Sequence, residues 1–177
     1  MSDRLRIVDN ALPFEMIEAI AKYADAQTHI RTNHTSWKPE VVGLSGPIYI
    51  TDISGELEEQ IHKHLATLVP DWSLGEFDIT ASYNVGGRYS FIPWHDDGNN
   101  AFSVTVYLNQ AWDKDWAGYF MYERNGPDDI AAILPTFNKA LFLKPPLKHC
   151  VAMPNINAPF RCTLQVFFGK RDAAKKW

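Results

Sequence analysis

Cysteine is scarce in this chain: Cys150 and Cys162 are the only two among 177 residues. Two thiols give no basis for a disulfide framework, and a reducing, cytoplasmic setting is expected. Long apolar runs are missing as well. No stretch approaches the roughly 18 apolar residues of a membrane span, and the opening segment MSDRLRIVDN lacks the apolar core of a secretory signal. A membrane is therefore not an expected partner. Positive charge is also short, since 17 Lys and Arg face 21 Asp and Glu for a formal net charge of −4. Apart from the terminal KRDAAKKW no basic run stands out. Nothing supplies the field that a phosphate backbone requires, so nucleic acid is not expected either. Internal repeats, low-complexity tracts and Gly/Ser linkers are absent too, and the expectation is one domain over residues 1–177.

What remains is a globular composition, with 46% hydrophobic, 21% charged and 13% aromatic residues. A chain of this length buries about 70% of its unfolded surface and needs no disulfide or structural metal to fold. In LPFEMIEAIAKYADA, the residues Phe14, Ile17, Ile20, Ala21 and Ala24 recur at helical spacing, and Pro13 suits a first turn. Leu57, Ile61, Leu65 and Leu68 repeat that spacing in SGELEEQIHKHLATLVP. Between them, residues 28–46 are polar and hold no sustained period, which predicts a long loop of the kind that often serves as a lid.

From residue 77 the period falls to two. Phe77, Ile79, Ala81, Tyr83 and Val85 alternate with Asp78, Thr80, Ser82 and Asn84, the pattern of a strand. AFSVTVYLNQ, KALFLKP and FRCTLQVFFG continue in β-branched and aromatic residues, punctuated by the turn-rich NGPDD and MPNINAP. Strands so spaced predict a sandwich or jelly-roll barrel with the helices packed outside. Two strand faces are polar: Ser103, Thr105, Tyr107 and Asn109 share one, and Arg161, Thr163, Gln165 and Phe167 share the other. Such faces point to water or line a cleft.

The segment PWHDDGNN carries the chemistry. In extended chain, residues i and i+2 project to one side, so His95 and Asp97 converge while Asp96 points away. A metal needs a third ligand. His62 and His64 lie about 200° apart around a helix and cannot chelate together, and His29 and His34 belong to the expected lid. His149, 54 positions beyond His95 and after a strand-like run, can return on a neighbouring strand. Two imidazoles and one carboxylate make a facial triad that suits Fe(II), although zinc accepts the same donors. Arg161, with Thr163 on the same strand face, offers a planar fork and a hydroxyl to a carboxylate.

ASYNVGGRYSFIPWHDD, VTVYLNQAW, PTFNKALFLKPPLKHCV and FRCTLQVFF, in that order, resemble the Fe(II)/2-oxoglutarate-dependent dioxygenases, most closely their prolyl-hydroxylase-like branch. The resemblance runs over roughly residues 77–168. It implies a mainly β (α+β) fold with a double-stranded β-helix (jelly-roll) core over about 77–170 and flanking helices in an N-terminal part of about 1–70. By the same resemblance His95, Asp97 and His149 hold iron, Arg161 anchors the distal carboxylate of 2-oxoglutarate, Tyr107 donates a second hydrogen bond to it, and Thr163 and Tyr83 support it. The implied cofactors are Fe(II), 2-oxoglutarate and O2, with ascorbate as an accessory. The implied reaction is hydroxylation of a prolyl or other side chain on a peptide, protein or small amino-acid-like substrate. Where the branch often carries Gly-Gly-Glu, this chain has WAGYF with Tyr119 in place of the carboxylate, so substrate identity does not carry over.

Plainer readings stand beside these. Trp94, Trp112 and Trp116 fill core or rim before they wall a pocket, Arg88 is a solvated arginine, and His62 and His64 face solvent. Cys150 and Cys162 point away from the neighbouring site residues and act as small hydrophobes. Two other functions use the same triad: a jelly-roll module that binds a carboxylate ligand without turnover, and a zinc-dependent hydrolase. The hydrolase leaves Arg161 and Tyr107 without a task.

Overall fold

A computed structural model of the protein describes residues 4–28, 30–32, 45–72, 77–98 and 100–170. Except for 28, 30–32, 45 and 46, the expected lid over 28–46 lies outside these residues, as do His29, His34 and most of the basic terminus. In chain order the elements are β1 (Leu5–Val8), α1 (Phe14–Asp25), β2 (Arg31–Thr32), β3 (Ile48–Ile53), α2 (Glu56–Thr67), β4 (Phe77–Gly86), β5 (Ile92–His95) and β6 (Asn100–Tyr107). There follow β7 (Phe120–Glu123), β8 (Ile130–Ile133), β9 (Ala140–Leu143), β10 (His149–Val151) and β11 (Arg161–Lys170).

The strands form two antiparallel sheets. The larger has the order β1-β9-β6-β11-β4-β3-β2 and the smaller β5-β10-β7-β8. From β4 onward the chain crosses repeatedly between them, with β4, β6, β9 and β11 in the large sheet and β5, β7, β8 and β10 in the small one. That winding is the expected double-stranded β-helix. The N-terminal part, expected to be helical to about residue 70, differs, because it also supplies β1, β2 and β3 to the edges of the large sheet. The run IYITDI buries Ile48, Ile50, Thr51 and Ile53 and exposes Tyr49 and Asp52, an alternation interrupted once.

Side-chain parity sorts the large sheet into two faces. Phe102, Val104 and Val106 of β6, Ala140 and Phe142 of β9, and Leu164, Val166 and Phe168 of β11 face the helices, where they meet Ile20, Ile61 and Leu65. The intervening residues face the small sheet, and Tyr107, Leu141, Leu143 and Leu147 pack there against Phe120. Truncating any one of the fully buried Ile20, Ile61 or Leu65 to Ala removes contacts worth about 2–5 kcal/mol.

Two helical expectations are corrected. Ile17, Ile20 and Ala24 do turn inward with Met16 and Tyr23, but Phe14, the first residue of α1, is 56% exposed, and Ala21, about 100° round from Ile20, faces solvent. His62 and His64 are not solvent-facing. His62 packs on Phe168 with ring centroids 5.5 Å apart, and burial, seconded by Lys63, lowers its pKa. His64 Nε2 donates to the Ala11 carbonyl at 2.7 Å. Both rings seal α2 onto its surroundings. Among the described residues no helix is long and apolar enough to cross a membrane.

Candidate active site

β5 ends at His95 and β10 begins at His149, and the two residues are direct partners in the antiparallel ladder. Pairing therefore brings residues 54 positions apart side by side, with ring centroids 4.3 Å apart. Each imidazole is fixed in the same way: His95 Nδ1 donates to the Pro93 carbonyl and His149 Nδ1 to the Leu147 carbonyl, both at 2.8 Å. A ring that commits Nδ1–H to a carbonyl keeps its lone pair on Nε2, the form that binds metal. Burial, then the neighbouring His149, lowers the pKa of His95, which favours that neutral form. Asp97, in the turn after β5, stands 3.8 Å from each Nε2 through a different carboxylate oxygen.

One donor atom from each of His95, Asp97 and His149 lies within 4.8 Å of the others, close enough for small side-chain rotations to bring all three onto one ion. Two imidazole nitrogens and a carboxylate fit ferrous iron, with zinc a second fit by donor type. Their support comes from outside the triad. Ser103 Oγ donates to Asp97 Oδ2 at 2.6 Å, and the His149 ring stacks on Phe120 with centroids 5.2 Å apart. Asp96 points the other way, as expected, and has structural work there. One oxygen caps Gly98 N, and the other takes an ion pair at 2.7 Å from Lys148, the neighbour of His149. Gly98 is suited to this turn, since a Cβ there would stand 2.8 Å from Asp96 Oδ1.

The cleft continues from the triad between the two sheets. It is lined on the floor by Ser103, Thr105 and Tyr107 of β6, by Arg161, Thr163 and Gln165 of β11, and by Asn84 and Gly86 of β4, with Ile92, Phe120 and Val151 opposite. Both polar strand faces expected from parity thus turn into one cavity. Thr105 Oγ1 donates to Gln165 Oε1 at 2.7 Å, tying the two faces together. Ser103 and Tyr107 are four residues apart, about 13 Å along the strand, so the triad and the phenol mark opposite ends.

Arg161 is 5% exposed, opposite Gly86 on β4. Burial lowers its pKa, yet a guanidinium keeps its proton at physiological pH. Its Nη1 is buried without a hydrogen-bond partner among the described residues. Gly86 leaves room for it, because a Cβ there would be 3.5 Å from Arg161 Nη2 and 2.8 Å from Ser90 Oγ. Thr163 follows on the same face, and Tyr107 sits directly across from Thr163. Burial pushes the Tyr107 phenol well above its ordinary pKa, with Arg161 pulling the other way, so the phenol is a donor. A buried cation with an N–H unpaired among the described residues, a phenol and a hydroxyl are donors of the kind that suit a carboxylate.

No protein-family model and no curated protein matches the sequence. The folded chain is similar to a prolyl-4-hydroxylase from Pseudomonas putida, with a TM-score of 0.69 and 19% identity over 94% of this chain and 92% of that one. It is also similar to a 2OG-Fe(II) oxygenase family oxidoreductase from Burkholderia pseudomallei, with a TM-score of 0.70 and 17% identity over 93% and 84% of the two chains. A prolyl hydroxylase from Trichoplax adhaerens, in complex with a hypoxia inducible factor oxygen degradation domain peptide fragment, matches with a TM-score of 0.70 and 16% identity over 95% and 84%. The fold is that of the 2-oxoglutarate–Fe(II) oxygenases.

On this oxygenase fold one expected site residue falls elsewhere. Tyr83 lies on the helix side of β4, packed against the core there, with its hydroxyl toward Cys162. The correction follows from parity, since the cleft side of β4 belongs to Ser82, Asn84 and Gly86. The tryptophans stay out of the cleft as well: Trp112 and Trp116 pack edge to face at 5.8 Å, and Trp94 is 41% exposed. Arg88 is exposed, and Tyr119 donates to the Lys114 carbonyl. Four contributors were not anticipated: Ser103 as the partner of Asp97, Phe120 beneath His149, Lys148 on Asp96, and Asn84 in the floor. The alternation of β4 that removes Tyr83 is the signal for Asn84.

Proposed function

We propose that the protein is an Fe(II)- and 2-oxoglutarate-dependent dioxygenase. One observation carries the reading: two preset imidazole Nε2 atoms and a carboxylate converge at one end of a cleft whose other end holds a buried guanidinium with an N–H unpaired among the described residues. In this reading His95, Asp97 and His149 hold iron, and Arg161, Tyr107 and Thr163 hold the distal carboxylate of the cosubstrate. When bound, ferrous iron and 2-oxoglutarate supply the chemistry that places one atom of O2 in the substrate as hydroxyl and the other in succinate, with loss of CO2. The protein's own part is orientation. The Pro93 and Leu147 carbonyls keep both Nδ1 atoms protonated, Ser103 aims Asp97, and Ile92, Phe120 and Val151 give the cleft an apolar wall.

The Trichoplax neighbour is in complex with a peptide, which supports a prolyl or other side chain of a peptide, protein or small amino-acid-like molecule as the substrate here. The test is anaerobic addition of Fe(II) and then 2-oxoglutarate, which is expected to give a visible charge-transfer band, followed by succinate on admission of air. A band without succinate would make the protein a carboxylate-binding module. Activity with zinc and indifference to 2-oxoglutarate would make it a hydrolase.

A further inference from the structure

On and just after β4 lie polar side chains that the proposed chemistry leaves unused. Ser82 Oγ, Asn84 Oδ1 and Ser90 Oγ are buried without a hydrogen-bond partner among the described residues. Of the three, Asn84 lines the cleft itself, and the residue is only 8% exposed. Its neighbour in register on one side is Thr163 and on the other Ile50. Ile50 is fully buried and offers no partner.

Register places the amide within reach of the carboxylate seat. Tyr107, Thr163 and Asn84 form one row across three adjacent strands, with Arg161 the next inward residue along β11. Adjacent strands lie about 4.8 Å apart, so Asn84 flanks Thr163 on one side as closely as Tyr107 does on the other. An apolar residue would fill this wall without leaving a carbonyl oxygen unpaired, so an amide there points to a ligand. A half-turn of the amide exchanges Oδ1 for Nδ2 and turns an acceptor into a donor. An oxygen facing a carboxylate is repelled, so a bound carboxylate selects the donor orientation.

We propose that Asn84 donates through Nδ2 to the distal carboxylate of the 2-oxo dicarboxylate, opposite Tyr107. This rests on the proposed oxygenase function and adds to it a further cosubstrate-binding residue.

Calorimetric binding to the Fe(II)-loaded protein under argon tests it, with 2-oxoglutarate and its terminal amide, 2-oxoglutaramate, as the two probes. Asn84→Ala is expected to weaken 2-oxoglutarate binding roughly tenfold through loss of one hydrogen bond to a charged group. Asn84→Asp has nearly the same shape but places an anion against the carboxylate. It is expected to weaken 2-oxoglutarate binding by about a hundredfold, and to shift preference toward 2-oxoglutaramate, whose terminal NH2 the introduced carboxylate accepts. A prior titration with Fe(II) alone, expected to be unchanged in both variants, reports that the triad is intact. Binding of 2-oxoglutarate within about threefold of the unsubstituted protein in both variants, with the preference unmoved, would overturn the assignment. Failure of the unsubstituted protein to bind 2-oxoglutarate at all would instead overturn the oxygenase reading.

Discussion

Arg161 and Ser103 are polar side chains buried for different reasons, and their removal separates function from stability. Arg161 keeps a charged group 5% exposed with an Nη1 that is unpaired among the described residues, an arrangement that costs folding free energy while no anion pairs it. Arg161→Met is therefore expected to leave the melting temperature of the ligand-free protein unchanged or higher. The same substitution should raise the KM for 2-oxoglutarate by one to two decades, since each charge-assisted hydrogen bond is worth roughly 1.5–3 kcal/mol. A loss of stability with unchanged cosubstrate kinetics would mark the residue as structural. Ser103 acts on Asp97 through its 2.6 Å hydrogen bond. Loss of such a supporting contact typically weakens metal binding by about 10–100-fold, and titration of Ser103→Ala with Fe(II) checks it. Strand parity made Arg161 and Tyr107 legible in the sequence, because alternation states which side chains share a face. Tyr83 shows the limit. A family resemblance transfers position along the chain but not the face of the strand, and the face here belongs to Asn84.

Secondary-structure elements were legible where they are long. α1, α2, β4, β6 and β11 each span 8–12 residues, enough for a period of 3.6 or 2 to repeat. β5 and β10 have only four and three residues, and no periodicity survives at that length. Their pairing, which sets His95 beside His149, comes from the winding of the whole barrel. His-x-Asp spacing announced a ligand pair without saying which strand would supply the third donor. β1 is a four-residue edge strand, and it depends on more than its ladder. Arg6 makes a two-pronged contact of 2.6 Å to each oxygen of Asp71 and lies over the Trp72 ring. The Arg6 hydrogen bond holds the Asp71 carboxyl down at about 2, below the ordinary carboxylate value near 3.9. A depressed folded-state pKa means stability that is present above the unfolded value and lost as pH falls through the folded one. Asp71→Asn, which leaves Arg6 over Trp72, should accordingly be less stable than the unsubstituted protein above about pH 4, and the gap should close toward about pH 2. The pair is exposed to solvent, so the gap will be small and will shrink with salt. Melting curves across that range check the sign, and a gap that widened on acidification would contradict it.

At the scale of the whole molecule the proposed site is divided between the two sheets. His95 and His149 belong to the small sheet, Arg161 and Tyr107 to the large one, and Asp97 joins the halves through Ser103. On the proposed reading a metal ion alone would engage chiefly the small sheet, whereas a keto acid held between that metal and Arg161 would span both. Ligands that bind only the folded state raise its stability by RT ln(1 + [L]/Kd), so the thermal shift reads how each ligand's affinity depends on the other. On that reading, 2-oxoglutarate without metal would retain its carboxylate seat but lose its second anchor. The melting temperature should therefore rise little with 2-oxoglutarate alone, modestly with Fe(II) alone, and by more than the sum with both under argon. Arg161→Met should keep the Fe(II) increment and lose the excess. Strictly additive shifts in the unsubstituted protein would mean that the two ligands sit in independent sites, and the cleft would then not hold one keto acid between iron and guanidinium.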